Sequence, residues 1–384
     1  MTLLISLNTL QYYWWFILSL LGSILVFMLF VQGGQTLLYT LAKNEDERSL
    51  LVNSLGRKWE LTFTMLVVFG GTAFASFPLF YSTSFGGAYW AWMILLFCFV
   101  IQAVAYEYRS KPDNFLGKRT YETFLFINGA MGTFLLGVVV ASFFTGSEFS
   151  VDYYNISNAA DPAVSRWENK LHGIELLFNM WNLVLGLCIF FLSRVLAILY
   201  FMNNVRNDNI LNRAKKHLLI NAVPFVLLFV VFVIYVLLKD GLGGDPASGL
   251  IYLEEKRYLG NFLQMPVLLV VFLTGVLLVL SGIAIAVFKK PSGGIWYSGI
   301  GVILTVLALL CVAGFNNTPF YPSLTDMQSS LTIQNASSSY YTLSVMTYVS
   351  VFIPVVAAYI TYAWYRMNHK PIDGDELNSE NHVY

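Results

Sequence analysis

Five polar side chains set in or beside long apolar runs are the residues best suited to chemistry in this chain: Gln32, Gln35, Glu60, Gln102 and Glu107. Glutamine both donates and accepts hydrogen bonds, and glutamate also titrates, so together they have what a water-linked proton path needs. A carboxylate bordering hydrocarbon costs about 2.5–3.5 kcal/mol on insertion scales and ordinarily faces a bundle interior or a wet cavity. A purely structural reading stands beside this one. In it Glu60 and Glu107 are interfacial acids paired with Lys58 and Arg109, and the glutamines link helices.

Other chemistry fails on inventory. The four histidines, His172, His217, His369 and His382, include no pair arranged to bracket a haem within a bilayer. His172 and Glu175 would share a face if a helix began there, which suits a quinone-side or proton-exit role. Cys98, Cys188 and Cys311 sit singly in apolar runs without ligand spacing and are expected to be buried small residues. Phosphate loops, dinucleotide fingerprints and nucleophile elbows are absent from the sequence. No catalytic, metal-ligating or cofactor-binding residue is assigned.

The elements that position these residues follow from composition. At 57% hydrophobic and 11% charged among 384 residues, the chain is far from the roughly 25% charged share of soluble domains. Apolar runs of about 20 residues, each able to cross about 30 Å of hydrocarbon as a helix, recur throughout. The expected fold is therefore an all-α integral membrane protein with about nine transmembrane helices. They fall near 12–40, 61–81, 88–107, 122–144, 171–201, 217–238, 261–288, 295–315 and 341–365. A long connection before the fifth span divides a first four-helix bundle, residues 1–150, from a second bundle with an extra helix and a short tail, residues 151–384. The zero net charge implies no attraction to nucleic acid. With no Lys or Arg before Lys43, the first span lacks the basic flank of a signal peptide and is expected to be retained.

Charge placement gives orientation. Sixteen Lys and Arg residues fall in the odd-numbered connections and the tail, against five in the even-numbered ones (Arg166, Lys170, Lys239, Lys256 and Arg257). The positive-inside rule then puts the N-terminus outside and the C-terminus in the cytoplasm. Arg194 alone lies within a span. Tyr12, Tyr13, Trp14 and Trp15, and Trp296-Tyr297, suit an interfacial aromatic belt. Gly129, Gly132, Thr133 and Gly137 form a small-residue stripe for close helix contact.

Several ordered blocks carry a family resemblance. The run from Glu45-Asp46-Glu47-Arg48 through Asn53-Ser54-Leu55-Gly56, then Trp59-Glu60, Gly70-Gly71-Thr72-Ala73-Phe74-Ala75, Phe77-Pro78 and Tyr106-Glu107-Tyr108-Arg109-Ser110-Lys111, resembles subunit II of cytochrome bd quinol oxidases. So do Phe320-Tyr321-Pro322-Ser323, Ser330-Leu331-Thr332-Ile333, Asn335-Ala336-Ser337-Ser338, Thr342-Leu343 and Val345-Met346-Thr347, whereas about 150–260 matches poorly. The resemblance implies two four-helix bundles plus one helix. It also implies a haem-free partner of a haem-bearing subunit I, in a complex that oxidises quinol, reduces dioxygen to water and generates a proton-motive force across a bacterial inner membrane.

In that family haems b and d belong to subunit I, and a small accessory subunit and a membrane lipid or quinone are further partners to expect. Many family members carry aspartates around the glycine turn where this chain has Gln32-Gly33-Gly34-Gln35, an aspartate at Glu60, and an arginine at Gln102. Exchanging acid and base together for amides is electrostatically balanced, and it leaves Glu60 as the titratable group among those positions. The competing reading from another class is a secondary transporter or permease, whose bundles also carry a few intramembrane polar residues.

Overall fold

The computed structural model describes residues 6–158, 162–245, 248–289 and 292–368. Eight helices among them are long and apolar enough to cross a membrane: α1 (Leu7–Gln35), α2 (Glu45–Ser76), α3 (Tyr89–Tyr108), α4 (Lys118–Thr145), α5 (Met180–Asn204), α6 (Asp208–Leu238), α7 (Pro266–Phe288) and α8 (Gly294–Gly314). A ninth, α9, is broken into Tyr340–Ser350 and Ile353–Asn368, with a bend of 42°. The architecture is the expected all-α membrane bundle.

Local chemistry sets the ends. Asn44 caps α2 by accepting the Glu47 amide, and Glu45, Asp46 and Glu47 place negative charge where the helix dipole favours it. α2 turns at Arg57-Lys58 and stops at Phe77, because Pro78 lacks an amide hydrogen and disfavours helical backbone before it. Boundaries differ from expectation: α2 and α6 begin earlier, at Glu45 and Asp208, and two further spans start differently. Residues 171–178 form a turn and a short 3-10 helix rather than the start of the fifth span. The seventh span is split at Met265, where Pro266 opens α7 after a separate short helix, Arg257–Gln264.

Lipid tails offer no hydrophobic drive between helices, so close packing of small residues holds the bundle. A Cβ on Gly129 would stand 2.3 Å from the Gln32 carbonyl oxygen of α1, and one on Gly137 would stand 2.7 Å from Gly186 Cα of α5. Gly275 and Gly282 of α7 likewise meet the α8 backbone at Thr305, Gly301, Gly294 and Ser298. Trp14 and Trp15 are core residues and not belt residues. Their indole N–H groups donate to Leu343 O at 3.2 Å and Leu310 O at 3.1 Å, while Trp296 and Tyr297 are exposed as a belt requires. The three cysteines are free and buried.

Three connections, 145–170, 239–260 and 316–340, close over one end of the bundle as a single cap. It contains two hairpins, β1 (Phe149–Val151) with β2 (Ser165–Trp167) and β3 (Gly241–Gly244) with β4 (Ile251–Glu254). Ser147 bridges to Ser323, the Val151 amide donates to Ser329 Oγ, Gln328 exchanges two hydrogen bonds with Ile251, and the Gly244 amide donates to Asn317 O. The charged connections between α1 and α2, α3 and α4, and α5 and α6 gather at the opposite end.

Candidate functional site: a buried polar column

Gln102 of α3 lies at the centre of a buried amide cluster. Its Oε1 accepts from Gln32 Nε2 at 2.8 Å, Gln35 Nε2 at 2.7 Å and Asn128 Nδ2 at 2.5 Å. Asn128 Nδ2 also donates to Gln35 Oε1 at 2.9 Å, and Gln35 Nε2 donates to the Tyr106 hydroxyl at 3.2 Å. All four amide side chains are fully buried. The Gly33-Gly34 pair allows this: a Cβ on Gly33 would collide with Ser193 O at 2.1 Å, so only glycine lets α1 press against α5 while Gln32 and Gln35 turn toward α3. Gln32 Oε1, Gln102 Nε2 and Asn128 Oδ1 have no partner among the described residues. Three unsatisfied polar atoms at one buried locus form a set of donors and acceptors suited to binding water.

One and two turns beyond Gln102 on the same face of α3 come Tyr106 and Arg109. Arg109 is buried and donates Nε and Nη2 to Glu122 Oε1 at 3.2 and 2.7 Å, with a further bond from Nη2 to Ser49 Oγ at 3.2 Å. Glu122 of α4 is buried as well. Arg48 Nε stands 3.2 Å from its Oε2 as an ion pair without hydrogen-bond alignment, and the Tyr39 hydroxyl donates to the same oxygen at 3.0 Å. Burial, and then the Glu122 charge, raise the Tyr39 phenol above its ordinary pKa. Tyr39, Glu45, Arg48, Lys118, Arg119 and Glu122 line a polar cleft of about 330 Å³ at the surface. The arrangement is a column: an amide cluster inside, an Arg–Glu–Arg junction above it, and a polar mouth.

The structure thus brings Gln32, Gln35 and Gln102 together and leaves Glu60 and Glu107 outside. Glu60 is exposed and makes no hydrogen bond or ion pair among the described residues. Glu107 is exposed and pairs with Lys111 at 3.1 Å. The pairings expected with Lys58 and Arg109 are replaced. Arg109 goes to Glu122, and the buried Lys58 ammonium lies 4.8 Å from the centre of the Trp364 ring. Sequence reasoning missed Glu122 and Asn128. A lone Asn inside the apolar fourth span is itself a signal of interhelical bonding, and an acid just past the first turn of that span, following the basic Arg109 end of the third, was the available signal for the junction.

The described histidines do not fit a haem. His172 sits in a turn at φ 43° with Nδ1 3.2 Å from Gly87 O, and Glu175 is taken by the Trp167 indole and the Gly173 amide, so the two share no helix face. His217 lies on α6 at the other end of the molecule. His369 and His382 fall outside the described residues. No step through a haem is derived from this chain.

Comparison with known proteins now identifies the chain. The model of the family "Cytochrome bd terminal oxidase subunit II" matches residues 10–367. Relatives include the cytochrome bd-I ubiquinol oxidase subunit 2 of Escherichia coli K12, 27% identical over 95% of this chain and 96% of that one. The cytochrome bd ubiquinol oxidase subunit 2 of Bacillus subtilis is 25% identical over 86% and 88%. A chain of the bd oxidase from Geobacillus thermodenitrificans shares the fold, with a TM-score of 0.54 over 93% of this chain and 99% of that one, at 12% identity. With its model spanning almost every described residue, the family is shown, and the chain belongs to the cytochrome bd terminal oxidase subunit II family.

Proposed function

We propose that this chain is the haem-free subunit II of a bd-type terminal quinol oxidase, pairing with a haem-bearing subunit I that carries haems b and d. The complex oxidises quinol and reduces dioxygen to water. The family match over residues 10–367 carries this reading, and it takes precedence over a transporter. The chain would stabilise subunit I and, with the charge-rich end of the bundle in the cytoplasm, face the side from which protons for water are drawn. A small accessory subunit and a lipid or quinone complete the expected set of partners. Co-purification with a haem protein and a reduced-minus-oxidised haem spectrum test the assignment; a chain purified intact without any haem partner from its native membrane would overturn it.

The same reading assigns a proton path to the column. Its mouth is the Tyr39–Glu122 cleft, and its inner part is Gln32, Gln35, Gln102 and Asn128, which hold water rather than titrate. Glu60 and Glu107 belong to it only as surface acids near that end. The two-bundle division at about residue 150 is retained as part of this proposal, with α4 and α5 packed across the division through Gly137 and Gly186.

A further inference from the structure

Arg194 is the one basic residue that the charge pattern left inside a span, and the column does not use it. It stands on α5 between Thr36 and α6, two turns beyond the exposed Leu187, and is itself half-buried. Its guanidinium is held from the inner side by neutral groups only. Nε donates to Asn221 Oδ1 at 2.6 Å and Nη1 to Thr36 Oγ1 at 3.1 Å, both partners being buried. Nη2 donates to nothing among the described residues, and no carboxylate lies within ion-pair distance. A guanidinium within a membrane ordinarily pairs or reaches the interface, because leaving it uncompensated is costly.

The surroundings add positive charge. His217 is four residues before Asn221 on α6, about 6 Å along the axis, and Lys43, Lys216 and Arg194 all bear electrostatically on it. Lys43 and Lys216 are exposed. Glu47, a buried carboxylate at the same end of the bundle, is already held by Arg213 at 2.6 Å and by the Lys43 amide at 2.7 Å. Thr36, α5 and α6 therefore hold a half-buried guanidinium with further basic side chains close by. Basic pockets between transmembrane helices at such a level suit anionic lipid headgroups.

We propose that Arg194, with Lys43, Lys216 and His217 at the rim, binds the phosphate of an anionic phospholipid in the adjoining leaflet. The planar fork, pre-set by Asn221 and Thr36, offers its remaining N–H groups to a phosphate oxygen, and the acyl chains lie along the apolar strip of α5. The site does not depend on the oxidase assignment.

The test uses the purified complex, exchanged into vesicles containing one part phosphatidylglycerol to nine parts phosphatidylcholine and then examined by native mass spectrometry. The wild type should retain phosphatidylglycerol in preference to phosphatidylcholine, and Arg194→Gln should lower that preference about fivefold, as expected for the loss of one basic contact. Arg194→Lys should keep most of it. Equal retention by wild type and Arg194→Gln would overturn the proposal. So would displacement of the lipid by millimolar inorganic phosphate, which would mark a small-anion site. Unchanged lipid with loss of a companion subunit would also overturn it, since a partner's carboxylate would then be the counter-ion. Should Arg194→Gln fail to assemble, the double variant Lys43→Gln/Lys216→Gln carries the test: it must lose preference in the same direction.

Discussion

Removing the Glu122 carboxylate would leave Arg109, which is 1% exposed, facing Arg48 without the buried anion between them, since Glu45, the other acid of the cleft, is exposed and paired with Lys118. Breaking a buried pair from one side is far costlier than replacing the pair by apolar groups. Glu122→Gln should therefore destabilise the protein by about 3–5 kcal/mol, read as a lowered midpoint in thermal unfolding of the purified complex. The double variant Arg109→Met/Glu122→Met should recover much of that loss; an equal or larger loss would mean that Ser49, Tyr39 and Arg48 depend on the charge and not merely on its neutralisation. Glu60 makes a contrasting case. Exposed and without a hydrogen bond or ion pair among the described residues, it should tolerate Glu60→Gln with unchanged haem spectra and oxygen uptake within about twofold. A severe fall in turnover with intact assembly would make it a proton donor at the subunit interface. How far these sites could be read from sequence follows the same divide. The three glutamines were traceable because they are polar side chains set in long apolar runs, whereas Glu122 was hidden by its place at a helix boundary, where pairing across space rather than spacing decides its role.

At the scale of elements, the α1–α4 and α4–α5 contacts depend on missing side chains. With Gln32 O at 2.3 Å from a Cβ on Gly129, Gly129→Ala must push α4 away from the amide cluster it helps to build. The expected outcome is reduced assembly at Gly129 and at Gly137→Leu, but not at Gly71, where an added Cβ meets nothing within 4 Å. Yield of assembled complex checks this. The stripe at Gly129, Gly132 and Gly137 was legible as packing, although its partners were not, because helix neighbours that are distant in sequence leave no local trace. The cap has a pH signature of its own. Lys239, just past α6, donates to Phe144 O at 2.5 Å and lies 5.9 Å from the centre of the Tyr235 ring; burial lowers its pKa to about 8 from 10.5. In that window the unfolded chain binds the proton that the folded chain has released, so stability rises with pH from about 8 to 10.5. Lys239→Met should flatten that rise in a thermal series across the same range.

For the molecule as a whole, the sequence specified an all-α membrane bundle through hydropathy alone, while the cap was seen only as three long connections. Its order comes from side chains meeting across more than a hundred residues, such as Val151 with Ser329 at a separation of 178, which no periodicity announces. Orientation remains the global property that charge alone predicts. A reporter fused after Tyr384 should read as cytoplasmic and one placed within 145–170 as external, following the sixteen-to-five bias. The reverse pattern would also reverse the side on which the column opens.

The interlocked cap also has a bearing on biogenesis. Its first hairpin lies between α4 and α5 and its last β-bridges come from residues 316–340, so the hairpin pairs with itself but lacks its tertiary partners until Ser323 and Ser329 have been made. Insertion of the first four helices must therefore proceed with one end of the bundle unfinished. Synthesis of residues 316–340 should then act as a latch, so that a chain truncated before them keeps an open cap.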